Sequence, residues 1–270
     1  MVNIIKANGE KQKFDPKKIK LSLERAGANE ETIQEVLQHL QKEVYEGMST
    51  RDLYRVVFKQ YRKYEPLVAS RYGLKAALER LGQTTGLHFE AFIARMLQVQ
   101  GYTTQLNRVM PGKAITHEID ITAVKGKEVV MVECKHHTKS WIECNVQVAL
   151  YVYARFLDVK KNFTKPLIVT NTRFSKQATE YARSVNMGLL GWRYPEKEGL
   201  ELFLETNRLY PITLLQSLDE TTTNKCLDLR LVLVPDLFDF SEQELAQKLK
   251  IPLQKAKKIL EEAHAVCEKT

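Results

Sequence analysis

This 270-residue chain has no run of about 18 consecutive apolar residues, so a membrane-spanning helix is not expected. Its start, MVNIIKANGEKQK, is charged almost at once and has no apolar h-region, which argues against a secretory signal. Cysteine is scarce. Cys134, Cys144, Cys226 and Cys267 show no CxxC spacing, which speaks against a zinc module or disulfide framework and for a reducing cytoplasm. A GxxxxGKS/T loop is missing, so a Walker-type ATPase is not expected. Repeats and low-complexity linkers are also missing.

What is present is ordinary in bulk: 44% hydrophobic and 27% charged residues, as in a globular protein long enough for two or three domains. The net charge of +8 is uneven. Regions 1–82 and 83–209 each carry a net +5, and 210–270 carries −2. A polyanionic partner suits the first two regions, although an excess this modest also serves solubility.

Region 1–82 predicts a hairpin packed on a helical bundle. Asn8-Gly9 supplies a positive-φ turn, and Asp15 caps a helix that has Pro16 in its first position and ends at Gly27. Further helices follow Asn29 and Ser49, whose STRD resembles a capping box, and a fourth is expected from about Pro66 to Leu81. Region 83–209 predicts an α/β pattern. A helix spans about 87–99, a hairpin follows, and SWIE (140–143) reads as a capping box opening a helix to about Leu157. PLIVT (166–170) reads as a buried strand, 175–185 as a helix, and GLLGW and LELFLE as short strands. Region 210–270 predicts short helices after Pro211, a capping box in SEQE (241–244) and an amphipathic last helix. The fold class is therefore multidomain, α+β and α/β: hairpin plus helical bundle, central α/β core, small all-α tail.

The stretch HEIDITAVKGKEVVMVECKHH (117–137) carries the chemistry. Ionised groups in a sheet cost several kcal/mol, roughly, without partners. Alternation puts Glu133 and Lys135 on one face. If Val124 pairs with Lys127 across Lys125-Gly126, Asp120 lies opposite Met131 and diagonal to Glu133, on that same face; a three-residue loop would send it to the other. Two carboxylates so placed suit Mg²⁺, and a lysine beside them suits attack on a phosphodiester. A surface ion pair on a half-exposed hairpin is the alternative.

The run from GLHFEAFIARMLQVQGYTT through EIDITAV and VVMVECKHH to PLIVTNTRFSKQATEYA resembles the PD-(D/E)XK nucleases, nearest the Mrr-like, restriction-endonuclease-like branch, over about 83–195. The resemblance implies an α-β-β-β-α-β core and DNA cleavage with Mg²⁺ or Mn²⁺. It also implies Glu90, Asp120 and Glu133 as metal ligands, Lys135 on the attacking water, and Gln147 assisting. Ile119 departs from the family's proline. Nearby, His117, His136 and His137 are expected as solvated strand-end residues, Trp141, Tyr151 and Tyr153 as core, and Arg173 and Ser175 as candidate phosphate contacts.

Residues 1–82, with IIKANGEKQKFDPKKIKLSLERAG and MSTRDLYRVV, resemble the ATP-cone. The resemblance implies an allosteric site for ATP or dATP. Lys6 and Lys18 would sit on phosphate, Ile19 on the base, and Thr50 at the third helix start. Ala7 stands where the family has a second basic residue, a loss of roughly 1.5–3 kcal/mol if that contact is missing. The tail is similar to helix-turn-helix or helix-hairpin-helix modules but has KIP in place of the hairpin glycines. Lys248, Lys250, Lys255, Lys257 and Lys258 could meet phosphate there; a packing helix pair is the alternative. The expectation is a cytoplasmic, nucleotide-responsive endonuclease acting on double-stranded DNA, as a possible homodimer, with defence as an analogy only. The rivals are a non-cleaving regulator on a nuclease fold and a junction or repair nuclease.

Overall fold

The structure, a computed structural model, describes residues 2–66, 69–83 and 86–268. Strands β1 (Asn3–Ile5) and β2 (Lys11–Lys13) form the expected hairpin. Its loop has three residues. Lys6 and Glu10 close it, and Gly9 sits at φ +83°, a left-handed position that suits glycine. Helix α1 (Pro16–Arg25) starts as the sequence predicts, with Asp15 capping and Pro16 first. Helix α2 (Glu30–Glu43) is capped by Asn29. Strand β3 (Met48–Ser49) runs parallel to β1 and leads into α3 (Thr50–Tyr64). Ser49 takes the Asp52 amide at 3.0 Å, but Asp52 answers the Ser49 hydroxyl and not its backbone, so the box is only half formed. Leu23, Ile33, Val36, Leu40, Val57 and Tyr61 fill the core between these helices.

The fourth helix is shorter than expected. Pro66 lies in a turn, Leu67 and Val68 fall outside the described residues, and a 3₁₀ turn (Ala69–Gly73) precedes α4 (Leu74–Leu81). Packing sets this turn: Tyr72 stacks on Tyr54 at 5.3 Å, and a Cβ on Gly73 would lie 2.9 Å from the Tyr54 hydroxyl.

Next come α5 (Gly86–Val99), β4 (Thr103–Pro111), β5 (Thr116–Lys125) and β6 (Glu128–Lys135). The expected helix from Ser140 does not form there. Glu143–Cys144 is instead strand β7, and α6 (Val146–Val159) starts five residues later with Asn145 as its cap. The reason is pairing: β7 lies beside β9 (Arg173–Phe174), and Cys144 is buried in the core. Strand β8 (Lys165–Thr170), helix α7 (Lys176–Ser184) and β10 (Gly188–Leu190) match expectation. LELFLE is not a strand but helix α8 (Leu200–Asn207), in which Leu200 and Leu204, one turn apart, are both fully buried.

The central sheet has the order β10-β8-β6-β5-β4. The pairs β10–β8 and β8–β6 are parallel, and β6–β5 and β5–β4 antiparallel. Helix α6 makes the crossover that a parallel β6–β8 pair requires. Its apolar side, Ala149, Val152, Phe156 and Val159, packs with Met131 and Ile168 of the sheet and with Ala178 and Ala182 of α7.

The tail holds a 3₁₀ turn (Ile212–Leu214), α9 (Glu220–Asp228), a second 3₁₀ turn (Val234–Asp239), α10 (Glu242–Leu249) and α11 (Leu253–Cys267). The Ser241–Glu244 capping box forms in full. By compactness the chain divides into two units. One contains Met1–Ala77, Ile212–Lys225 and Val234–Thr270; the other contains Leu78–Pro211 and Cys226–Leu233. Within the first, buried Arg71 donates to the carbonyls of Val266 (2.8 Å), Ala265 (3.0 Å) and Glu268 (2.6 Å). A guanidinium at these orphan carbonyls also suits the helix dipole of α11. Among the described residues no helix is long and apolar enough to cross a membrane.

Candidate active site

The β5–β6 hairpin has an even, two-residue loop, but it is Gly126-Lys127, one position later than expected. Lys125 pairs with Glu128, Val124 with Val129 and Ile121 with Val132. Gly126 takes φ +59° at the first loop position, as a type II′ turn requires. This shift keeps the parity but changes the partner. Asp120 stands in register with Glu133, where the sequence predicted Met131.

The paired ladder ends at Ile121–Val132. Beyond it the Asp120 carboxylate accepts the Cys134 amide at 2.7 Å. Strict alternation also fails here, because Ile119 joins the same apolar cluster as Met131. The cause lies on the neighbouring strand. Asn107, between the pairs Leu106–Ile121 and Arg108–Ile119, is left-handed at φ +49°. Asp120 therefore sits at a local break in the sheet, a place where a side chain can be re-aimed. Burial, then the neighbouring Glu133, pushes its carboxyl up to about 6.

Glu133 is 3% exposed and well held. Its carboxylate meets Lys135 Nζ at 2.8 Å, accepts from the Tyr151 hydroxyl at 3.0 Å, and pairs with Arg155. Tyr151 and Arg155 are one turn apart on α6, so this helix closes over the Glu133–Lys135 face. Burial alone would lower the Lys135 pKa, but its hydrogen bonds to Glu133 and Tyr151 outweigh that and raise it. Lys135 is thus a stable ammonium near neutral pH. It can orient or stabilise charge, and it is a poor general base.

Glu90 comes from α5, half-buried, with its carboxyl raised by burial and partly eased by a 2.7 Å bond from Asn107. Gln147 is exposed, one turn before Tyr151 on α6. Among the described residues no three His, Cys, Asp or Glu side chains are gathered tightly enough to hold a metal as they stand. The donor chemistry nonetheless fits a hard divalent cation. Glu90, Asp120 and Glu133 all offer oxygen, and the negative charges of Glu133 and Glu90 raise the proton affinity of Asp120, an effect that a cation reverses.

Several neighbours differ from expectation. The strand-end histidines are not solvated. His117 pairs with Asp158 at 2.8 Å, His136 bonds the Leu78 carbonyl, and the Nε2 of His137 is buried. Tyr153 packs against the core as expected, but Tyr151 serves Glu133, and Trp141 is 39% exposed under Lys139. Ser175 caps α7, and Arg173 binds Glu143 at 2.6 Å. The sequence reading missed Asn107 and Arg155. Arg155 was signalled only by its spacing from Gln147 and Tyr151 along one helical face; nothing marked Asn107 as left-handed.

In the first unit, Lys6 and Thr50 directly follow Ile5 and Ser49, the last pair between β1 and β3. Lys6 bonds Glu10 at 3.0 Å, Lys18 is exposed, and Ile19 packs against the helical core. A cleft of about 530 Å³ between α1 and α2 is lined by other residues, among them Lys17, Lys20, Gln34 and Gln38. In the tail, Lys255 is held by Asp219 at 2.5 Å, and Lys250 takes the left-handed turn position at φ +51° that glycine would otherwise fill.

Residues 81–191 match a restriction endonuclease family model, 2–77 an ATP cone domain, and 210–267 the AF1548-like C-terminal domain. An uncharacterized protein of Archaeoglobus fulgidus is 39% identical over 175 residues, 64% of this chain and 99% of the relative. A crystal structure titled as a protein of unknown function, AF1548, is 38% identical with a TM-score of 0.60, covering 68% of this chain and 98% of that one.

Proposed function

The chain belongs to the AF1548-like family, and from that premise we propose that it is a metal-dependent DNA endonuclease governed by adenine nucleotide. The observation that carries this reading is that Asp120, bonded to the Cys134 amide where the β5–β6 ladder ends, lies near enough to Glu133 and Lys135 for their charges to act on it. Asp120, Glu133 and Glu90 would hold Mg²⁺ or Mn²⁺. When bound, such a cation lowers the pKa of water and neutralises charge on the scissile phosphate. The residues of the chain do the rest. Lys135, kept protonated, faces the phosphate oxygens or the attacking water. Arg155 and Tyr151 fix the Glu133 carboxylate, and Asn107 fixes Glu90. Gln147, at the open start of the same α6 face, assists in orienting water. The double-stranded substrate is supported by the basic balance of the first two regions and by exposed Trp141 and Lys139, six and four residues after Lys135.

For the cone, Lys6, Lys18 and Thr50 would meet the triphosphate of ATP or dATP, with Ile19 offering only its part-exposed edge to the base. Cutting both strands calls for two active sites, which suits a homodimer.

The test is incubation of plasmid and short duplexes with Mg²⁺ or Mn²⁺, with and without ATP and dATP, beside Asp120→Ala. Metal-dependent cutting lost in the variant is expected; tight binding with no cutting would sink the enzyme reading in favour of a regulator. ATP is expected to raise the melting temperature, and Lys18→Ala to abolish that rise. An unchanged rise in the variant removes Lys18 from the nucleotide site.

A further inference from the structure

We propose that His136 is a positioning residue that clamps the catalytic strand to the end of α4 and to α5. This rests on the nuclease reading above and concerns what holds that site in place. Three contacts meet on one imidazole. Its Nε2 lies 3.1 Å from the Leu78 carbonyl, which can only accept, so Nε2 carries the hydrogen. Its ring packs on Phe89 with centroids 5.3 Å apart. Gly82, just past the end of α4, lies so close that a Cβ there would come within 2.5 Å of ring atoms Cγ and Nδ1.

Each contact reaches a residue beside the proposed chemistry. His136 directly follows Lys135, the last residue of β6, so a ring held in place there restrains the backbone from which Lys135 projects. Phe89, fully buried, directly precedes Glu90 on α5. The last carbonyls of a helix have no partner within it, and His136 supplies one to α4. The clamp therefore sets two catalytic groups on two different elements, with one ring as the common reference. Leu78, Gly82, Phe89 and His136 all belong to the second unit, so the clamp is internal to it.

The test is a double-mutant cycle on the full chain: wild type, Gly82→Ala, His136→Ala and the double variant. Amide hydrogen exchange over residues 128–137 is read alongside kcat and KM for cleavage of a short duplex with Mn²⁺. Gly82→Ala alone should displace the ring, speed exchange at 131–136 about fivefold and lower kcat about tenfold with KM little changed. In the His136→Ala background the same substitution should change neither quantity beyond about twofold, because nothing remains to collide with. His136→Gln, which keeps a donor, should recover part of the kcat that His136→Ala loses. Additive effects, or a silent Gly82→Ala, overturn the proposal. A wild type that never cuts DNA refutes the nuclease reading instead, and the exchange cycle then decides the clamp by itself. Should His136→Ala fail to fold, the exchange response of Gly82→Ala alone still separates the two outcomes.

Discussion

The Asp120 carboxylate accepts the Cys134 amide hydrogen at 2.7 Å, one residue past the last rung of the β5–β6 ladder. It takes the place of a strand carbonyl and lies near other acids.

That placement has a pH signature. With its carboxyl raised to about 6, Asp120 is disfavoured when ionised in the metal-free protein. Its contribution is most favourable below its ordinary value near 3.8 and is lost as pH rises to about 6. Asp120→Asn, which can still accept from Cys134, should stabilise the metal-free protein at pH 7.5 by roughly 1–3 kcal/mol and have little effect at pH 4. Mg²⁺ should raise the melting temperature more at pH 7.5 than at pH 5. Melting curves across pH for both proteins check this; a variant no more stable at pH 7.5 would contradict it.

Arg155 should matter as a holder of Glu133. Arg155→Met leaves a nearly buried carboxylate with Lys135 and Tyr151 alone. Cleavage should fall about 10–100-fold while duplex affinity measured without metal stays close to wild type. An equal loss in both would make Arg155 a DNA contact instead.

Trp141 offers a direct reading of DNA contact. The chain has two tryptophans, and Trp192 is only 6% exposed. Trp141 stands in the loop after β6 with Lys139 5.5 Å from its ring centre. Adding a short duplex should quench tryptophan emission, and Trp141→Phe should abolish the change. Quenching that survives in the variant would clear this loop of contact.

Arg71 should be a stability determinant with no catalytic role. Arg71→Met removes the donors from three carbonyls at the end of α11, and should cost about 2–4 kcal/mol. Chemical denaturation would show it. A loss below about 0.5 kcal/mol would mean that water replaces the guanidinium easily.

Much of this was legible beforehand because it is written in local chemistry. Asp15-Pro16, Asn29, Ser49 and the Ser241–Glu244 box mark helix starts through contacts within a few residues. The ECK strand and its parity followed from a two-residue period. The failures share a different cause: distant partners decide them. SWIE has the right residues for a helix start, but the partner strand at Arg173–Phe174 claims Glu143–Cys144 first. LELFLE fits either period, and Leu200 and Leu204 chose the helical one. The left-handed Asn107 donates to Glu90 on a different element, a contact with no local signal.

The bond between Arg71 and the carbonyls around Val266 joins residues 195 positions apart. On the ribosome, the strands that carry Asp120 and Glu133 emerge long before the helix that satisfies this guanidinium. Until α11 is made, Arg71 lacks these three carbonyls, so the first unit gains this part of its interior only when synthesis is nearly complete.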